Sequence, residues 1–287
     1  MSALGRRIAR SRLAPIAAFP TRVRTVGRYD ARVLRASARW LWHSREHTNF
    51  TYNLTTLNRD QLAWWISEIA EVPVQEVRGY MSELDADEAF AEHVAAATRV
   101  SDRRRLADPV PRPGRRVGWY ALVRCLRPQH VVETGTDKGL GSCVLAAALL
   151  RNGKGQLTTV DVNPDAGFLI KPPYSNVTDL RVDESITVLR EVAVPVGLFL
   201  QDSWSTFEHE RNELEAMAPH LEQRAVVLNG RTGTRSLAEW AERTGRRYLY
   251  FHAQPDDHWY PGDGIGAAWF ARSASERGEV GSEAAPG

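Results

Sequence analysis

From residue 116 onward the chain alternates helix-like and strand-like runs, and that alternation admits few folds. RVGWYALVRCL spaces its apolar residues as a helix does, HVVET reads as a short strand, GLGSCVLAAALL as a helix and QLTTVD as a second strand. A loop-rich stretch leads to DLRV, a third strand, and VGLFLQ is a fourth. STFEHERNELEAMAPHL is a helix, RAVVLN a fifth strand and TRSLAEWAERTG another helix. RRYLYFHA and GIGAAWFARS close the region as two strands with no helix between them. Strands separated by helices need crossover connections, so they are expected to run parallel in one sheet covered by helices on both faces. The last two are joined by a tight loop, so they should pair antiparallel, with GIGAAWFARS at or near an edge. The expected fold class is α/β, seven strands preceded by an N-terminal helical region.

Four regions follow from the pattern. Residues 1–48 form a basic extension, 49–105 a helical cap region, 106–273 the sheet domain and 274–287 a disordered tail. In the cap region Asn58 and Gln61 suggest a capping box before QLAWWISEIAEV, Pro73 suits the start of a second helix, and Asp85 with Glu88 precedes a third. SDRRRLADPVPRPGRR, polar and rich in proline, reads as a linker.

The net charge of +2 over 287 residues argues against wholesale nucleic-acid binding. Charge is nonetheless segregated: residues 1–45 hold eleven arginines and a single acid, Asp30. Leu34, Ala38 and Leu41 fall on one helical face there, with Arg32, Arg35 and Arg39 opposite, so homo- or hetero-oligomers through the N-terminal helices are an expected use. An arginine-rich start nearly free of acid also fits an organellar transit peptide, although a basic helical extension is the preferred reading. The two cysteines, Cys125 and Cys143, sit in apolar helix-like runs and do not make a disulfide framework. No run of 18 apolar residues exists, so no membrane span is expected, and the expected location is the cytoplasm.

ETGTDKGLGS joins the first strand to its helix. Gly135, Gly139 and Gly141 permit a tight turn and close approach of backbone to a ligand, at the positive end of a helix. Their spacing is not G-x-G-x-x-G, and no phosphate-binding G-x-x-x-x-G-K-[ST] occurs. Glu133 stands just before the first glycine, where a carboxylate suits a cationic amino-acid moiety better than a pyrophosphate. Asp161 ends the second strand, 20 residues beyond Gly141, a place from which ribose hydroxyls can be held. Asp183 and Asp202 end the third and fourth strands. Open parallel sheets bind ligands at the carboxyl ends of their strands, so four acids share one rim.

With these residues in view, GWYALVRCLRPQHVVETGTDKGLGSCVLAAALLRN and TTVDVNP resemble class I S-adenosyl-L-methionine (SAM) methyltransferases, in particular the small-molecule enzymes of the methyltransferase 24 type. FHAQPDDHWYPGDGIGAAW resembles a strand-turn-strand segment of that group, and the resemblance spans about residues 116–272. It implies a Rossmann-like seven-stranded methyltransferase sheet. It implies SAM as cofactor and a small-molecule acceptor, methylated on oxygen or nitrogen in natural product biosynthesis. It places Glu133, Gly135, Thr136, Gly139 and Gly141 around the methionine part of SAM, Asp161 at the ribose, Asp183 near the adenine, and Asp202 beside the sulfonium and the acceptor. The chain departs from metal-using relatives after the fifth strand, where LNGRTGTR offers Asn229 and Gly230 instead of a second Asp and an Asn. Hard cations need several oxygen ligands, so no metal site is expected.

Methyl transfer requires alignment of donor and acceptor and removal of one proton. Asp202, His209 and His258 are the candidate bases. Two other functions stay open: a methyltransferase fold that has lost methyl transfer and serves an intramolecular cyclisation or acts as a partner subunit, and an RNA or protein methyltransferase using the basic N-terminus.

Overall fold

Val131, Val132, Leu198, Phe199 and Leu200 are wholly buried, and the two strands that carry them lie side by side in the middle of one sheet. Near-continuous apolar runs of this kind belong to parallel strands covered on both faces. The computed structural model describes residues 14–47, 50–231 and 233–271. The chain divides into two compact units, one of residues up to Arg45 with Asp257–Tyr260, the other of Glu46–Asp256 with the chain from Pro261.

The second unit holds a seven-stranded sheet in the order β3-β2-β1-β4-β5-β7-β6. Its strands are β1 (His130–Thr134), β2 (Gln156–Asp161), β3 (Thr178–Val182), β4 (Val196–Gln201), β5 (Leu221–Asn229), β6 (Arg247–His252) and β7 (Gly264–Trp269). β1 to β5 pair in parallel, while β7 is antiparallel to both β5 and β6. β7 thus lies one strand in from the edge, and β6 is the edge strand. The strand order turns around at β1 and β4, and a crevice opens outside their carboxyl ends. The α/β architecture, with its Rossmann-like methyltransferase sheet, is the one expected.

Register decides which side chains share a face. Val132, Phe199, Val227 and Ala268 align across β1, β4, β5 and β7. They pack with Leu189 of α7 (Ser185–Glu191), Leu214 and Met217 of α8 (Phe207–Met217), and Leu237, Trp240 and Ala241 of α9 (Ser236–Thr244). The helices α5 (Arg116–Leu126) and α6 (Leu140–Asn152) pack on each other, and Trp119, Leu122 and Leu145 between them are wholly buried. β3 is the other edge; Arg181 there meets Asp179 at 3.5 Å and Glu191 at 3.6 Å, a charged edge that resists pairing with another chain.

The helices α2 (Thr56–Ala70), α3 (Val74–Asp85) and α4 (Glu88–Val100) belong to the same unit as the sheet. Glu83 of α3 accepts hydrogen bonds from Tyr120 at 3.0 Å and Arg124 at 2.9 Å, tying α3 to α5. Three local readings change. The cap of α2 is Thr55, whose hydroxyl accepts from the Asn58 amide at 3.2 Å. Asn58 is instead buried, donating to the His252 carbonyl at 2.9 Å and accepting from the Gln254 amide at 2.7 Å, so it fastens α2 to the end of β6. Asp87, not Asp85, caps α4. Helix α7 lies between β3 and β4, where no helix was read from the sequence; at seven residues it is too short for periodicity to reveal.

The first unit contains α1 (Ala14–His43). Arg24, Arg28, Arg32, Arg35 and Arg39 follow one face of it. Exposed Ile16, Phe19, Val23, Val26, Leu34 and Leu41 follow the opposite face. At its end Trp40 meets Trp259 edge-on with ring centroids 5.2 Å apart, and Arg39 pairs with Asp257. No helix among the described residues is long and apolar enough to cross a membrane. The tail at 274–287 lies outside the described residues.

Because Phe199 is wholly buried at the centre of the sheet, Phe199→Ala is expected to cost about 3–5 kcal/mol of stability, read from urea unfolding midpoints. A cost below about 1 kcal/mol would mean that β4 does not organise the core.

Candidate active site

The turn after β1 threads between its neighbours. The Gly135 amide donates to the Val160 carbonyl at 2.8 Å, and the Asp202 amide donates to the Thr134 carbonyl at 2.8 Å. Gly135 has φ of 88°, and a Cβ there would lie 2.3 Å from the Asp202 carbonyl oxygen, so both conformation and space demand glycine. Gly141, in the first turn of α6, lies against the carboxylate of Glu133; a Cβ there would be 2.7 Å from Oε1.

Glu133 is buried at the end of β1. Its Oε2 accepts from Thr159 Oγ1 at 2.8 Å and from Ser142 Oγ. Thr159 spends its proton on Glu133, so Thr136 Oγ1, 2.7 Å away, is the donor in that contact. The register that sets Glu133 beside Thr159 makes this network possible. Oε1 takes no hydrogen bond among the described residues. Burial pushes Glu133 up to about 7 against the opposing pull of Ser142 and Thr159.

Asp161 holds the same turn from β2, accepting from the Asp137 amide at 2.9 Å and from the Asn163 amide at 2.9 Å. Asp183, exposed after β3, accepts from the Glu184 amide at 2.7 Å. Asp202 follows β4 and is nearly buried: its Oδ1 lies 3.8 Å from Arg115 Nη2 and 3.5 Å from Arg231 Nε, and accepts no hydrogen bond among the described residues. Burial raises Asp202 above the usual carboxylate range, although Arg115, Arg116 and Arg231 all pull it down. A Cβ on Gly230 would stand 2.7 Å from that Oδ1.

His209 begins α8 and is half-buried, its Nε2 3.1 Å from Oε1 of Glu213. That bond, working against burial, holds His209 above its ordinary value. Glu213 has no exposed surface.

These groups surround a cavity of about 780 Å³. Glu133, Gly135, Thr136, Gly141, Asp161, Asp183, Asp202 and His209 all line it. Gly139 and His258 do not. Gly139 is the left-handed residue at the N-terminus of α6, packed against Ile170, so its role here is conformational. His258 belongs to the first unit, where it lies near Trp40.

The sequence did not single out Arg115, Arg116, Ser142, Thr159 or Glu213. Arg115 and Arg116 end the stretch read as linker, yet both are buried, and Arg116 lines the cavity. One signal was present: two arginines at the start of a helix oppose its dipole and need a carboxylate nearby. Asp202 is that carboxylate, but only the tertiary structure pairs them.

Residues 132–229 match the family model described as a methyltransferase domain. This part of the chain therefore carries a methyltransferase domain, for which SAM is the methyl donor. Solved structures similar to it include the O-methyltransferase TomG of Streptomyces achromogenes, involved in tomaymycin synthesis and crystallised with SAM. It is 18% identical over 65% of this chain and 91% of that one, with a TM-score of 0.49. The SAH-bound methyltransferase PaMTH1 of Podospora anserina is 11% identical over 78% of this chain and 100% of that one, TM-score 0.47. The SAH-bound O-methyltransferase of Bacillus cereus is 14% identical over 64% and 92%, TM-score 0.46. No curated protein matches the chain.

The residues present fit SAM. The uncommitted Oε1 of Glu133 lies against the glycine at 141, where a side chain would fill the space, and suits an ammonium group. A carboxyl held near 7 is part protonated at neutral pH and becomes ionised beside a cation. SAM binding near pH 7 is therefore expected to release protons, and affinity to rise with pH through that range. Titration calorimetry in buffers of different ionisation enthalpy measures the release, and E133Q should abolish it. Without ligand the sign reverses. The folded value lies above the ordinary 4.5, so this group's contribution to stability is full below 4.5 and lost as pH rises through about 7.

Proposed function

We propose that this chain methylates an oxygen or nitrogen of a small-molecule acceptor without a metal ion. One observation carries the reading. Asp202, whose Oδ1 is buried and accepts no hydrogen bond among the described residues, lines the same cavity as Glu133, Asp161 and Asp183. An acceptor hydroxyl or amine in the cavity would donate to this carboxylate. The cavity volume lies within the range of about 300–1,000 Å³ common for small-molecule sites.

Bound SAM supplies a methyl group already activated by its sulfonium. The rest is the work of the chain. Glu133 Oε1 holds the ammonium, Asp161 the ribose hydroxyls, and Asp183 a donor on the adenine. Asp202 orients the acceptor through its X–H bond, and His209 stands in the same lining as a base. Alignment of this kind can supply much of the rate.

The donor set around Asp202 favours a metal-free reaction. Its Oδ1 is flanked by Arg115 and Arg231, whose positive charges oppose a divalent ion. The Asn229 side-chain oxygen already accepts from the Arg231 amide at 2.8 Å, and Gly230 brings no ligand.

Mass-spectrometric screening of small-molecule extracts with isotopically labelled SAM tests the activity. Turnover is expected to survive chelator; loss in chelator with rescue by magnesium would overturn the metal-free reading. Asp161→Ala should weaken SAM binding by about 1–3 kcal/mol, the cost of losing hydrogen bonds to a charged group. Unchanged affinity in a folded variant would remove the ribose assignment. A wild-type chain that binds no SAM would favour a fold turned to another reaction.

A further inference from the structure

We propose that Glu213 is the positioning residue for His209 and that His209 Nδ1 receives the acceptor's proton, an assignment that rests on the methyl-transfer reading above. Glu213 has no exposed surface, and each of its oxygens takes two donors. Oε1 accepts from His209 Nε2 at 3.1 Å and Ser203 Oγ at 2.8 Å. Oε2 accepts from Thr134 Oγ1 at 3.1 Å and Gln201 Nε2 at 3.0 Å. All four lone-pair sites are used, which suits an ionised, acceptor-only carboxylate.

The tautomer of His209 follows. Nε2 also lies 3.4 Å from Ser185 Oγ, but the closer partner is the acceptor-only carboxylate at 3.1 Å, so Nε2 carries its hydrogen toward Glu213 and in the neutral ring the lone pair is on Nδ1. Nδ1 takes no hydrogen bond among the described residues, and His209 lines the cavity. The other three donors come from the ends of β1 and β4 and from the residue after Asp202. Glu213 thus sets the imidazole relative to the elements that carry Glu133 and Asp202. The charged groups acting on His209 are Glu213 and Glu210 on its own helix and Glu184 before α7; all are acids and favour the imidazolium. As the acceptor's heteroatom forms its bond to the methyl carbon, the sulfur–carbon bond breaks with its electron pair left on sulfur. The proton passes to Nδ1, and Glu213 stabilises the resulting charge.

Histidine-labelled full-length protein tests this by NMR, with H209Q identifying the resonance. The wild type is expected to show the Nε2–H tautomer when neutral and to titrate above 6.5. An Nδ1–H tautomer in the wild type would overturn the proposal whether or not E213Q folds. E213Q should move both the His209 titration and the rising limb of the kcat–pH profile to lower pH. A folded E213Q that still methylates with an unmoved limb would sink it. H209Q should lower kcat by about 10²–10⁴-fold with KM little changed, and a kcat within about 3-fold of wild type would also sink it. Failure of the wild type to bind SAM or methylate would reject the function instead, while the tautomer and titration would stand as measured.

Discussion

A methyl group does not fit between residue 135 and the carbonyl of Asp202, and the site depends on that closeness. The ends of β1 and β4 approach until a Cβ at 135 would lie 2.3 Å from the carbonyl oxygen. The turn can then leave β1 steeply enough to start α6 above the strand ends. Glu133 is held beneath it, Gly141 lies against the carboxylate, and the crevice opens between β1 and β4. A side chain at 135 would push the strand ends apart and move every group on the rim.

Around that constraint the chain buries three carboxylates in different degrees of satisfaction. Glu213 has four donors and is complete without any ligand. Glu133 has two donors, both on one oxygen. Asp202 has guanidinium groups nearby, yet its Oδ1 accepts no hydrogen bond among the described residues. Removing a carboxylate from water costs several kcal/mol unless hydrogen bonds or charges offset it. The three carboxylates thus differ in how fully the fold itself satisfies them: Glu213 completely, Glu133 on one oxygen, and Asp202 by charge more than by hydrogen bonds.

The basic residues follow the same division. Arg115 and Arg116 begin α5 against the helix dipole, where Asp202 is among the groups that offset their charge. Arg115 is pulled down by burial, but Tyr52 and Asp202 hold its charge more firmly than usual. Arg116 is lowered by burial and by Arg115 beside it. Two adjacent cations thus lie behind one carboxylate at the rim of the cavity.

Much of this was legible in the linear chain. The seven strands, the helices from α5 to α9 other than α7, the glycine turn and the rim acids Glu133, Asp161, Asp183 and Asp202 all come from local periodicity and from the rule that ligands meet parallel strands at their carboxyl ends. Such signals lie within a few residues of one another, so the sequence carries them by itself. Other assignments depend on partners far away in the chain. Thr134 and Glu213 are 79 residues apart, Asn58 and His252 194 apart, and Arg115 meets Asp202 across the whole first half of the sheet. Gly139 and Gly141 look alike in sequence, but the first turns the chain against Ile170 and the second faces Glu133. His209 and His258 were equal as candidate bases until packing put one in the cavity wall and the other in a different unit. A residue's type and local spacing determine what it can do; which polar groups lose their water together, and so what each is left to bind, is decided only when the strands assemble.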